Sequence, residues 1–137
     1  MESWDLLTNF IENQSSQHLS NPKQVYGMRL AGEEILSNMI REISESTETL
    51  DKHLIWISSQ NLTEESKTWF ELLIEDNGPQ FDPHLEMPRD IQVSTPINER
   101  PIGGLGLFLV QQSVDQVNYE WANNRNRYRI RVAQQCP

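Results

Sequence analysis

The sequence predicts an α+β protein, a two-layer sandwich with helices over one face of a mainly antiparallel sheet. Three observations carry that reading. Two amphipathic helical stripes come first, over residues 4–12 and 22–44. Strand-like runs then follow in two hairpins, with no regular alternation of strand and helix. Between the hairpins stand Pro79, Pro83, Pro88, Pro96 and Pro101, a spacing that no regular element survives. A doubly wound parallel sheet is disfavoured on the same grounds.

Each element has a local reason. Trp4, Leu7, Phe10 and Ile11 recur at helical spacing and predict a short helix over 4–12, broken by the polar run Ser16–Pro22. Asn21-Pro22 is a helix start, with Asn at the cap and Pro at the first helical position. Val25, Met28, Ile35, Met39, Ile40 and Ile43 extend that helix to about residue 44, and a polar connection follows to Lys52. Residues 53–60 and 67–75 are rich in Ile, Trp and Phe and read as strands joined across Asn61–Ser66. Residues 79–102 read as one long loop, a length that suggests a lid or binding loop. A helix over 104–116 precedes strands at 117–121 and 127–132, linked through Asn123-Asn124-Arg125-Asn126.

The 137 residues read as one domain, 1–137, long enough to bury a core without disulfides. The single cysteine, Cys136, allows no intramolecular disulfide and fits a reducing compartment. No signal peptide or membrane span is visible, so a cytoplasmic location is expected. A net charge of −9 argues against unaided binding to nucleic acid or an anionic membrane.

Three segments carry chemistry. On the second helix Glu34 and Asn38 project about 40° apart and about 6 Å along the axis. Asn38 can offer a hard oxygen to Mg²⁺, and Glu34 can orient or deprotonate an attacking hydroxyl. Read alone, the pair is better explained as a solvated helix face with an ordinary Asn, since such pairs arise freely in polar helices. Asp76 shares a strand face with Phe70, Leu72 and Ile74, so it should point into the layer between sheet and helices. A carboxylate there needs donors, and the exocyclic amine of adenine is one. Gly78 permits positive φ and close approach to a flat ring. The alternative for Asn77-Gly78 is a type I′ hairpin turn, which Pro79 and Pro83 disfavour. Third, Gly103-Gly104-Leu105-Gly106 opens a helix whose free N–H groups and dipole attract phosphate, or else serves as a hinge. It is neither a dinucleotide fingerprint nor a Walker A loop. Arg100 just before it could contact a terminal phosphate, although an exposed side chain is the commoner outcome for a loop arginine. Arg125, Arg127, Arg129 and Arg131 alternate on one strand face, and pairing with Glu71 and Glu75 is the expected outcome. His18, His53 and His84 have no metal-ligand spacing.

In this order the three segments resemble the N, G1 and G2 boxes of GHKL (Bergerat-fold) ATPases. Ile74–Pro83 and Ile102–Val110 are most similar to the small bacterial anti-sigma-factor serine/threonine protein kinases, and the resemblance runs from about Trp4 to Val132. It implies a histidine-kinase-like ATPase fold that binds Mg-ATP. Glu34 matches the general base, Asn38 the Mg²⁺ ligand, Asp76 the adenine-binding aspartate and Gly78 its neighbouring glycine. Gly104, Leu105 and Gly106 match the phosphate loop, Arg100 matches its preceding arginine with an offset, and residues 82–102 match a short ATP lid. Such proteins bind a sigma factor, phosphorylate an anti-anti-sigma partner of the STAS type, and are often homodimers. The alternative is a non-catalytic nucleotide-binding module that sequesters a regulator. A GHKL ATPase fragment is disfavoured by the short lid. Two departures stand out. Relatives usually begin with a strand before the first helix, and Glu42 occupies a position where they often carry histidine.

Overall fold

The computed structural model describes residues 2–45, 53–81 and 110–134. Within them, α1 (Glu2–His18) and α2 (Pro22–Glu45) precede the β1–β2 hairpin (Ile55–Glu64, Lys67–Asp76) and the β3–β4 hairpin (Gln116–Ala122, Arg125–Ala133). The strands form one antiparallel sheet in the order β1-β2-β4-β3. This is the α+β arrangement the sequence predicts.

The second helix starts where its cap residues put it. The Asn21 side-chain oxygen accepts the Lys23 N–H at 2.9 Å, satisfying one of the orphan donors of the first turn. The first helix runs six residues beyond the expected end at Glu12. Its polar last turns are held by the sheet rather than by an apolar stripe. Gln14 accepts from the Ser59 hydroxyl at 2.8 Å, and the His18 ring stacks on Phe70 with centroids 5.5 Å apart. Ser15 is fully buried.

Both hairpins are tighter than the sequence suggests. Glu65 and Ser66 have φ of 53° and 67°, and Asn123 and Asn124 have 55° and 60°. Two consecutive left-handed residues make a type I′ turn, whose twist matches that of the flanking strands. The polar residues 61–64 and 125–126 are thereby drawn into the ladder, where main-chain pairing outweighs their weak strand preference. At the other end of β3, residues 110–113 are helical and Gln116 is already in the strand. That helix therefore ends short of the expected residue 116, because Asp115 N–H donates to Arg131 C=O at 3.1 Å.

The core lies between the helices and one sheet face. Ile11, Met28, Ile35 and Leu36 pack against Phe70, Leu72, Ile74, Ile130 and Val132. Gly27 sets how closely α2 meets the 110–113 turn, since a Cβ there would lie 2.3 Å from the Ser113 carbonyl oxygen. On the other sheet face the arginines form a ladder of ion pairs. Arg131 donates to Glu71 at 2.6 Å, Arg127 to Glu75 at 3.1 Å and to Glu120 at 2.8 Å, and Arg129 to Glu120 at 2.9 Å. The Arg125 guanidinium lies 3.7 Å from the Trp56 ring centroid.

Candidate functional site

Strand β2 ends at Asp76, and parity carries that side chain inward with Phe70, Leu72 and Ile74. It is 3% exposed. Two protein donors meet it there. Gly78 N–H donates to Oδ1 at 2.7 Å and the Asn126 amide donates to the same oxygen at 3.0 Å. Among the described residues Oδ2 accepts no hydrogen bond. Burial raises the Asp76 pKa above the usual carboxylate range; the bonds from Asn126 and Gly78 and the nearby His53 oppose that shift.

Gly78 is required for closeness, not for positive φ. Its φ lies outside the left-handed region, but a Cβ would come 2.9 Å from Ile43 Cγ1 and 3.1 Å from Asp76 Oδ1. The Asp76–Gly78 turn is thus pressed directly onto the last turns of α2. It is no hairpin turn, because β2 leads into Pro79 and on to Phe81 outside the ladder.

From α2, Asn38 and Glu42 reach the same pocket as Asp76, Asn126 and Tyr128. Asn38 is 6% exposed, and its side-chain oxygen accepts from Arg41 at 2.6 Å. Arg41 Nε is buried with no partner among the described residues. Glu34 lies one turn back on α2, half-buried, without a hydrogen bond among the described residues. The fold therefore brings Asn38 and Asp76 together from elements distant in sequence, with Glu34 just outside the pocket. Arg100, Gly104, Leu105, Gly106 and the lid at 82–102 lie outside the described residues.

Two participants escaped the sequence reading. Asn126 is 3% exposed and fully engaged. It donates to Asp76 and to Pro79 C=O (2.8 Å), and accepts from Phe81 N–H (3.0 Å) and the Tyr119 hydroxyl (2.6 Å). The signal was present: alternation that puts Tyr128 and Ile130 inward puts Asn126 inward too. The second is Arg41, one turn beyond Asn38, whose role depends on a rotamer that sequence does not encode.

The donor chemistry fits a nucleotide and a hard cation. An inward carboxylate oxygen can accept an amine, and the Asn38 amide and Glu42 carboxylate carry oxygen atoms of the kind a hard cation takes. Among the described residues no three His, Cys, Asp or Glu side chains converge as a metal cage. The enclosed space is about 10 Å³, room for a single water. No helix among the described residues is long and apolar enough to cross a membrane.

Comparison with curated proteins gives no match. Comparison with protein families does: residues 2–132 match the family described as Histidine kinase-like ATPase domain. The match spans both helices, the whole Asp76 pocket and nearly all of the sheet. An inward aspartate at a strand end, facing a helix that carries Asn38, thus belongs to an ATP-binding module, and the chain is a member of the histidine kinase-like ATPase (GHKL) family.

Proposed function

We propose that this ATP-binding module is a serine/threonine protein kinase and anti-sigma regulatory factor, which phosphorylates an anti-anti-sigma partner of the STAS type and binds a sigma factor. The observation that carries the reading is the order of groups along α2. Asn38 faces the Asp76 pocket, while Glu34 stands one turn away with no partner of its own among the described residues. A module that only held nucleotide would not need an uncommitted carboxylate there.

Asp76 Oδ2 accepts the adenine amine, and Asn126 fixes that carboxylate. Bound ATP supplies the transferable phosphoryl group, with Mg²⁺ neutralising its charge. Asn38 would hold the cation through its amide oxygen, which accepts from Arg41 in this structure. The Arg41 guanidinium, whose Nε has no partner among the described residues, would suit phosphate oxygens as acceptors. Arg100 and the backbone of Gly104, Leu105 and Gly106 complete the phosphate contacts. Glu34 takes the proton from the acceptor hydroxyl.

The test is ³²P transfer from ATP to a STAS-type partner. Glu34→Ala should leave ATP affinity within a few-fold and lower transfer about 10²-fold or more. Asn38→Ala should impair metal-dependent binding and transfer together. One observation favours the second reading, a non-catalytic binding module: the Asn38 oxygen is already held by Arg41. An ATP-dependent complex with the partner and no labelled product would establish that reading instead.

A further inference from the structure

Asn77-Gly78 is the only Asn-Gly pair in the chain. In an open chain such a pair is chemically unstable. Glycine has no Cβ, so its backbone nitrogen can approach the preceding side-chain amide carbon without crowding. Once that nitrogen loses its proton it attacks the carbon, and the two residues close into a five-membered imide.

The fold holds both reacting groups off that course. Gly78 is buried, and its N–H donates to Asp76 Oδ1 at 2.7 Å. A proton held there by a carboxylate is out of the reach of hydroxide, and the negative charge beside it opposes formation of an amide anion. Gly78 also has no room to swing, since a Cβ on it would lie 2.9 Å from Ile43 Cγ1 and 3.1 Å from Asp76 Oδ1. Asn77 is pinned from the other side. Its Oδ1 accepts the Leu54 N–H at 2.7 Å, and its own N–H donates to Leu54 C=O at 3.3 Å. Asn77 itself is exposed, so water has access to it once the turn opens.

We propose that Asn77-Gly78 is a modification site gated by the turn that carries Asp76. It is sealed while Gly78 N–H is bonded to Asp76, and converted irreversibly to aspartate or isoaspartate when that bond opens. Hydroxide takes the Gly78 proton, and the nitrogen bonds to Asn77 Cγ. The bond from Cγ to the side-chain nitrogen breaks, and that nitrogen takes up a proton from water and leaves as ammonia. Water then opens the imide. Addition at Cγ gives aspartate. Addition at the main-chain carbonyl gives isoaspartate, with one more carbon in the main chain between Asp76 and Gly78. The net change is an amide and a water for a carboxylic acid and an ammonia. Either product places a new negative charge beside Asp76, and isoaspartate also breaks the spacing that brings Gly78 N–H onto Asp76. On the reading of Asp76 as the adenine acceptor, the nucleotide pocket is lost with that spacing.

The test incubates the full chain at mildly alkaline pH, folded and in concentrated urea. Peptide mapping by mass spectrometry follows residue 77, with isoaspartate separated from aspartate by chromatography. Conversion should be about ten-fold slower or more in the folded chain, the factor that one charge-assisted hydrogen bond supplies. Asp76→Ala removes the acceptor and should speed conversion of the folded chain by about ten-fold or more, with Asn123 and Asn124 unaffected. If Asp76→Ala does not fold, wild type in urea below its unfolding midpoint decides: conversion should rise in step with hydrogen exchange at the Gly78 amide. Equal rates in folded and unfolded chains overturn the proposal, as does conversion indifferent to Asp76→Ala or to Gly78 exchange. Immobilised ATP should retain unconverted chains and pass those carrying isoaspartate. Conversion as expected with retention unchanged would uphold the modification and count against Asp76 as the adenine acceptor.

Discussion

Asp76 is held by the protein itself, and this separates its cost from its use. Because burial raises its pKa, the folded state holds the proton more tightly than the unfolded chain does. The associated stability is complete below the ordinary value of 3.8 and is lost as pH rises through the raised value. Asp76→Asn keeps an oxygen for Gly78 and Asn126 and removes the charge. It should raise the unfolding midpoint at neutral pH by about a few degrees and flatten the pH dependence just above 3.8, as followed by thermal melts across pH. The same variant should bind ATP at least ten-fold more weakly by calorimetry, since a charge-assisted hydrogen bond is worth about 1.5–3 kcal/mol. Asn126→Ala acts on stability instead. It strips one bond from Asp76 and leaves the Pro79 C=O, the Phe81 N–H and the Tyr119 hydroxyl each short of a partner. A loss of about 2–3 kcal/mol is expected in urea unfolding. A loss under about 0.5 kcal/mol would show that water replaces the amide at little cost.

At the scale of elements, close approach decides what the helices can carry. Gly27 lets α2 touch the Ser113 carbonyl, and a backbone atom cannot rotate away as a side chain can. Gly27→Ala should therefore destabilise by about 1–3 kcal/mol, despite the better helix propensity of alanine. Denaturant unfolding would measure this; a stabilised variant would mean that the 110–113 turn shifts freely against α2. The arginine ladder behaves differently at its two ends. Glu71 is 2% exposed, bonded by Arg131 and by Gln60 at 2.8 Å, whereas Glu64 is exposed and meets Arg131 at 3.2 Å. Glu71→Ala should cost about 1–3 kcal/mol, because it leaves the half-buried Arg131 guanidinium with only the exposed Glu64 and Gln60 without its acceptor, and Glu64→Ala well under 1 kcal/mol.

For the whole molecule, ligand and fold are linked. Mg-ATP at about one hundred times its Kd should stabilise the protein by about 2.7 kcal/mol, seen as a rise in melting temperature. Asp76→Ala should abolish that rise while leaving the far-ultraviolet spectrum intact. An equal rise in wild type and variant would place the nucleotide away from the Asp76 pocket.

Sequence alone determined what periodicity and local chemistry encode. The α2 start follows from the Asn21 side chain and the fixed φ of Pro22, and the inward path of Asp76 follows from strand parity after Phe70. The pairing of arginines with Glu71 and Glu75 follows from alternation on facing strands. Tertiary structure decided what depends on distant partners. The last turns of α1 exist because Ser59 and Phe70 meet Gln14 and His18, contacts that no local pattern announces. Polar residues 61–64 became strand because the Glu65-Ser66 turn set their register against β2. Gly78 is glycine because Ile43 presses on it from α2, not because its φ is positive. Arg41 on the Asn38 oxygen is a choice of rotamer, which the local sequence does not encode. Local sequence fixes a side chain's direction, whereas its partner is fixed only when the chain closes on itself.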